Sequence, residues 1–455
     1  MHPSYWSSDP RLFVDDTQHP YTCASSREPY VWIRGRQVGG RGLTWGGLML
    51  RFSDHEFRAA ERDNVGENWP FTLKELAPFY AHVERFYGVH GSEEKLEQLP
   101  DGDFAPPPLL TNTELTFRDE VAASWPERRV IHCRGIPDAL SVPEANPAWS
   151  PKTVQHRVLP AALSTGRVTI RPNAIVTKIL TDSDGTRARG VSFIDRLTHE
   201  ASELHGAAVV LCASTIESIR LLLNSAGPRH PRGLANSSGC LGRFILDHCG
   251  IVLAGSIPGQ RTTPPAPLGN AHGFLIPRYR NLGECRADFT RGYGIWGGLG
   301  RGRSKAGDDV WTLCAMLEVL PREENSISID FSRTDAWGIP VPHIDVSYSS
   351  NEYSMRDDAL QSMREMVKRM GWRASFEKTM APGNFVHELG GARMGSDPAR
   401  AVLNEHNQSW DVPNLFVLDG ACFVSSGWQN PTLTMLAIAV RACRYIASEF
   451  RSGTV

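Results

Sequence analysis

His387-Glu388-Leu389-Gly390-Gly391-Ala392-Arg393-Met394-Gly395, then Asp419-Gly420, then Gln429-Asn430-Pro431-Thr432-Leu433-Thr434: these three stretches decide how the chain is read. Alone, a histidine in a glycine-rich loop is a structural residue, and a bare Asp-Gly is a turn. Their order and surroundings say more. Phe416-Val417-Leu418 reads as a short buried strand ending in Asp419. That C-terminal edge is where open α/β sheets meet their ligands. Beyond Pro431, suited to a first helical turn, Leu433, Leu436, Ala437, Val440 and Ile446 recur at helical spacing.

Upstream, Tyr30 to Gly47 carries Gly35, Gly39, Gly40, Gly42, Gly46 and Gly47 among Trp32, Val38, Leu43 and Trp45. So many glycines would cost about 1 kcal/mol each in a helix interior, so regular structure is excluded. The interleaved aromatics argue against a plain surface turn. Such a main chain suits close approach to something flat. Leu73, Leu76, Phe79, Tyr80, Val83, Phe86 and Tyr87 predict a helix ending at Gly88, its aromatic stripe in the core. The proline- and acid-rich run from Leu99 to Pro108 reads as loop.

From Val168 the period changes to two. Strands are predicted at 168–171, 174–180 and 188–194, and a buried strand at 207–212 precedes a helix over 216–225. That strand–turn–helix, with Ser214 before it and Glu217 in its first turn, is Rossmann-like. Strands are also expected at 311–320, 325–330 and 340–346, and a helix over 352–371 with Leu360, Met363, Met366, Val367 and Met370 on one packing face.

A nucleotide-binding unit of this kind ordinarily opens with a strand, G-x-G-x-x-G and a helix. The one match is Gly292-Tyr293-Gly294-Ile295-Trp296-Gly297, which reads as a glycine-rich bend rather than a phosphate loop. The opening βαβ unit is therefore expected to be absent, through a misassigned start, a fragment or a loss.

The C-terminal set resembles the signature of the glucose–methanol–choline (GMC) family of FAD-dependent alcohol oxidoreductases. The segment 30–47 resembles its second flavin motif, and VVLCASTIESIRLLLNS (209–225) its later FAD-domain strand and helix. The resemblance runs from about Tyr21 to Glu449. It implies an α/β fold: a discontinuous Rossmann-like FAD-binding domain (21–60, 151–248 and 385–455) without its N-terminal βαβ unit. An α+β substrate domain with an antiparallel sheet (61–150 and 249–384) completes it, entered through Leu241 to His248.

Its chemistry removes a hydroxyl proton and a hydride from one carbon. The resemblance makes His387 the base, apt because histidine titrates near neutrality, and Asn430, 43 residues on, the partner fixing the hydroxyl. Flavin N5 takes the hydride. Gly39, Gly40, Gly42, Thr44, Trp45 and Gly46 would lie beside the flavin ring and the backbone of Val176 at the adenine. Asp419 would accept a ribityl hydroxyl, Gly420 and Ala421 would approach the diphosphate, and the helix start at Pro431 and Thr432 would face the reduced flavin. In relatives with covalent FAD the attaching histidine aligns with Thr44; threonine cannot form that bond, so FAD is expected to be non-covalent. His248, His343 and His406 are expected to be structural or surface residues. Asn at the second position and Leu389-Gly390-Gly391 lean towards pyranose- and glycoside-oxidising members, hence a sugar, glycoside or sugar acid. The acceptor, oxygen, a quinone or a redox protein, stays open. The alternative is a carbohydrate-binding or inactive remnant unable to hold FAD.

Composition agrees with a globular enzyme: 455 residues, 41% hydrophobic, 22% charged, net charge −2. Nothing suggests nucleic acid, and no apolar run reaches the roughly 20 residues of a membrane span. Basic residues between Arg34 and Arg62 are broken by acids and glycines, a solvated face. Nine cysteines without C-x-x-C argue against a metal site or disulfide framework, and from the start at Met1-His2-Pro3-Ser4 no signal peptide is expected. A cytoplasmic location is the expectation.

Overall fold

The computed structural model describes residues 10–137, 154–262, 270–283 and 288–453. Met1 to Ser4 and Cys285 lie outside them, as do parts of the segments assigned above to the two domains.

The largest sheet is six-stranded and antiparallel throughout. Its strands are β2 (Ile131–His132), β7 (His248–Ile257), β8 (Phe274–Ile276), β9 (Tyr293–Arg303), β10 (Asp309–Glu318) and β13 (Phe376–Thr379), in the order β13-β7-β10-β9-β8-β2. This is the antiparallel sheet expected from the sequence. All of the G-x-G-x-x-G match but Gly292 lies within β9, paired with β10 from Tyr293↔Leu317 onward. It is a strand rather than a bend, because β10 pairs along it, β8 adds pairs at Ile295 to Gly297, and Trp428 rests on Gly294.

Two strands expected beside that sheet lie elsewhere. β11 (Ser326–Thr334) and β12 (Pro340–Asp345) pair with each other, and β12 runs parallel to β1 (Thr22–Cys23). Ile327, Ile344 and Val346 belong to the core shared with 211–222 and 389–438. A separate core, built on Ile251, Leu253, Tyr293, Ile295 and Leu313, lies under the six-stranded sheet.

β3 (Ala174–Thr181), β4 (Ala188–Asp195) and β5 (Ala201–His205) form an antiparallel meander. The strand expected at 168–171 is irregular; its residues are exposed and no neighbour among the described residues pairs with them. β6 (Val209–Leu211) and β14 (Leu415–Val417) pair in parallel, the Rossmann-like element.

Among the helices, α1 (Leu73–Tyr87) starts on a Thr72/Glu75 capping box and stops at Gly88, φ 65°. It buries Leu76, Tyr80, Val83 and Tyr87. α2 is Asn112–Ser124, and α3 (Thr215–Asn224) follows β6 directly. α4 (Ser350–Arg369) buries Met355, Met363, Met366 and Val367 against the large sheet, so its methionines pack. α5 (Thr432–Ser452) follows Pro431. No helix among the described residues is long and apolar enough to cross a membrane.

Candidate active site

The C-terminal ends of β6 and β14 open onto a cavity of about 1000 Å³, lined by Cys212, Ala213 and Ser214 beyond one strand and Leu418, Asp419 and Gly420 beyond the other. Parallel strands present ligands at this edge. The Gly39–Leu48 segment, Val176, Val386 to Leu389, and Asn430 to Thr432 complete much of the wall. Gly39, Gly40, Gly42, Thr44, Trp45, Gly46, Val176, Asp419, Gly420, Pro431 and Thr432 are thus brought together with His387 and Asn430. Ala421 is not. It is fully buried, its N–H donates to Asp419 Oδ1 (3.0 Å) and its carbonyl accepts from Ala392 (2.9 Å).

Backbone hydrogen bonds join the first two motifs. Gly390, Ala392 and Met394 donate to the carbonyls of Gly420, Ala421 and Cys422, and Leu389 exchanges hydrogen bonds with Leu246. Gly390 and Gly391 have φ of 77° and 88°, and a Cβ on Gly391 would overlap Ile219 of α3. The glycine pair lets this loop lie against the helix.

The two catalytic candidates rest on the antiparallel sheet in the same way. Phe385, two residues before His387, fills the space over Gly250 of β7. Trp428, two residues before Asn430, sits on Gly294 of β9. A Cβ at either glycine would overlap the ring above it. The sheet is the floor on which both loops are set; the sequence reading passed over Gly250 and took Gly294 only as part of a glycine-rich bend.

Arg41 steadies the loop from the other side, its guanidinium bonding the Glu388 carboxylate and the Val386 carbonyl. Val386 sits at φ 56°, an uncommon conformation for a β-branched residue, directly before His387. His387 Nε2 is 3.4 Å from Asn430 Nδ2, and His387 Nδ1 is 3.0 Å from Nδ1 of His248. His248, expected to be merely structural, therefore touches the candidate base. Nothing near Asp247-His248 marked this, since the contact spans 139 residues of chain. His248 Nε2 lies 3.0 Å from the carbonyl of Gly427. His406 instead stacks on Tyr445, and His343 Nδ1 meets Thr22 Oγ1.

Burial, with His248 and Arg41 close by, holds His387 well below the ordinary imidazole range, and burial pushes His248 down to about 4. Both imidazoles are neutral at pH 7. Burial lifts Asp419 to about 6, against the hydrogen bonds from Ser218 Oγ (2.5 Å to Oδ2) and the Ala421 N–H. Asp247 is lifted to about 7 by burial and by the Glu388 carboxylate.

These residues fit a flavin dinucleotide. The cavity volume is at the upper end of ligand pockets. At Gly40, φ 53°, a Cβ would meet nothing, so the backbone lies open there. The amide oxygen of Asn430 and the indole N–H of Trp45 are buried with no hydrogen-bond partner among the described residues. Thr44, which donates to the Arg41 carbonyl at 3.3 Å, offers no imidazole for a covalent bond.

Two models of the GMC oxidoreductase family match the chain, an N-terminal one at residues 149–249 and a C-terminal one at 321–439. The 2-methyl-1,2-propanediol dehydrogenase of Mycolicibacterium austroafricanum is 28% identical over 98% of this chain and 86% of its own length. The fructose dehydrogenase large subunit of Gluconobacter japonicus is 28% identical over 98% and 87%. The crystal structure of pyridoxine 4-oxidase from Mesorbium loti, 17% identical over 98% of this chain and 92% of its own, superposes with a TM-score of 0.62, which shows the fold to be shared. With matches to both family models and the same overall fold, the chain belongs to the GMC oxidoreductases, FAD-dependent enzymes that act on alcohols and sugars.

Proposed function

We propose that this chain oxidises a hydroxyl of a sugar, glycoside or sugar acid to a carbonyl, with His387 as base and Asn430 as its partner. The carrying observation is the pair itself: His387 Nε2 and Asn430 Nδ2 stand 3.4 Å apart on the wall of the large cavity. One hydroxyl can reach both. Asn430 donates to the hydroxyl oxygen and fixes its direction, and neutral His387 takes the proton at Nε2. FAD, when bound, supplies the hydride acceptor.

Gly39, Gly40, Gly42, Thr44, Trp45 and Gly46 would hold the flavin without a covalent bond, and Val176 the adenine end. Asp419 and Gly420, at the edge of β14, would receive the ribityl and phosphate portion. The first turn of α5 has N–H groups without helical partners, and Pro431 and Thr432 line the cavity there, which suits negative charge on the reduced cofactor. In this reading segments 21–60, 151–248 and 385–455 serve the cofactor, and 61–150 and 249–384 shape the substrate side. Relatives named for a diol and for fructose support a hydroxyl-rich donor. The eight described cysteines are free, and six are not exposed, which favours the reducing cytoplasm.

The test is anaerobic mixing of the FAD-loaded protein with sugars, glycosides, sugar acids and simple alcohols while flavin absorbance is followed. Bleaching by a member of the sugar group is expected. Bleaching by simple alcohols alone would overturn the substrate class, and bleaching by no hydroxyl compound would overturn the function.

A further inference from the structure

We propose that His248 is a positioning residue that fixes the tautomer of His387, holding a proton on Nδ1 so that Nε2 is the nitrogen free to act as base. The inference rests on the base assignment above and adds the device that makes it work.

The argument starts at Gly427. Its carbonyl oxygen can only accept, so the His248 nitrogen 3.0 Å away, Nε2, carries a hydrogen. His248 is fully buried at the start of β7, and its backbone carbonyl accepts from the Tyr348 hydroxyl at 3.2 Å, so ring and backbone are both anchored. A neutral imidazole with hydrogen on Nε2 presents a lone pair at Nδ1. That lone pair faces His387 Nδ1 at 3.0 Å. Two lone pairs repel at this distance, so His387 Nδ1 must be an N–H donor. Neutral His387 then has its own lone pair on Nε2, on the side of Asn430 and the cavity.

The surrounding charges favour that state. From the glycine-rich segment, the Arg41 guanidinium opposes positive charge on His387; it is itself tied to Glu388 and the Val386 carbonyl. Next to His248 in the chain is Asp247, whose Oδ2 accepts from the Gly383 N–H and whose carboxyl is pushed towards neutrality. Neither supplies His248 with an ion pair. Protonating His248 would put hydrogens on both of its nitrogens, force His387 Nδ1 to accept, and leave Nε2–H as a donor. The base would be lost.

In the forward step one proton moves from the substrate hydroxyl to His387 Nε2. His387 becomes an imidazolium that still donates from Nδ1 to His248, now through a charge-assisted bond. His248 neither gains nor loses a proton. A neutral imidazole in this place sets the tautomer without the charge that a carboxylate would add, so His387 stays unprotonated in the resting enzyme.

The full chain, labelled with [15N]histidine, tests this by two-bond 15N–1H correlation, with and without FAD. His387→Ala and His248→Asn spectra assign the two rings. The expected wild-type result is His387 with hydrogen on Nδ1 and a bare Nε2, and His248 with hydrogen on Nε2. Hydrogen on His387 Nε2 would overturn the proposal whether or not the enzyme turns over. His248→Leu removes the acceptor: the His387 tautomer should become mixed and kcat fall about a hundredfold, with KM nearly unchanged. His248→Asn keeps an acceptor oxygen near the Nδ1 position and should preserve the tautomer and restore kcat to within about tenfold of wild type. An unaltered tautomer and kcat in His248→Leu would also overturn it. If the leucine variant fails to fold, the wild-type spectrum decides alone. The expected tautomer together with full turnover in His387→Ala would sink the base assignment and leave the histidine pairing standing.

Discussion

Asp247 is fully buried, and one of its carboxylate oxygens has no hydrogen-bond partner among the described residues. Burial and the neighbouring Glu388 raise it from the ordinary 3.8 to about 7. A folded-state value above the unfolded one means that the folded chain holds the extra proton. The associated stability is fully present below about pH 4 and is lost as pH rises through about 7. Asp247→Asn can keep the acceptor for the Gly383 N–H and removes the titration. It should melt above wild type at pH 8, with the advantage shrinking towards pH 5. Thermal melts of both proteins at the two pH values check this, and an equal difference at both would contradict it. The same residues show what was legible. His387 and Asn430 could be read because each sits in a local motif of fixed order. His248 could not, because its contact crosses from one end of β7 to a loop far along the chain, and a lone histidine after an aspartate carries no local sign of it.

Strands and helices follow the same division. α1 was readable from its apolar stripe and terminal glycine, and α4 from its methionine face, because periodicity and caps are local properties. The irregular run at 168–171 has strand-like alternation but no pairing strand among the described residues, and alternation without a neighbour does not make a strand. The glycines of β7 and β9 were unreadable for the converse reason: their purpose lies in what rests on them. Gly294→Ala puts a methyl group into the Trp428 ring and should push the Asn430 loop off the sheet. A shift of about 1 Å in such a loop costs on the order of a hundredfold in rate. We expect kcat to fall by about that much with FAD content unchanged, read from steady-state rates and the flavin spectrum of the purified variant. A wild-type kcat would show that the sheet does not set the position of Asn430.

At the scale of the whole molecule, the parts proposed to serve cofactor and substrate meet at one cavity. The parallel strands β6 and β14, α3 and α5 contribute the edge proposed to take the cofactor, while the antiparallel sheet carries the loops that bring in Phe385–His387 and Trp428–Asn430. The class of both parts was readable from alternation and motif order. The transfer of β11 and β12 to a small sheet with β1 was not, because pairing between residues some 320 positions apart leaves no local pattern. The account as a whole stands on His387 acting as base in a flavin enzyme. Its most direct test is rapid anaerobic mixing of the FAD-loaded wild type and His387→Ala with the substrate that bleaches wild type. The account predicts equal flavin content in the two proteins and a bleaching rate at least about a hundredfold slower in the variant; equal rates would contradict it.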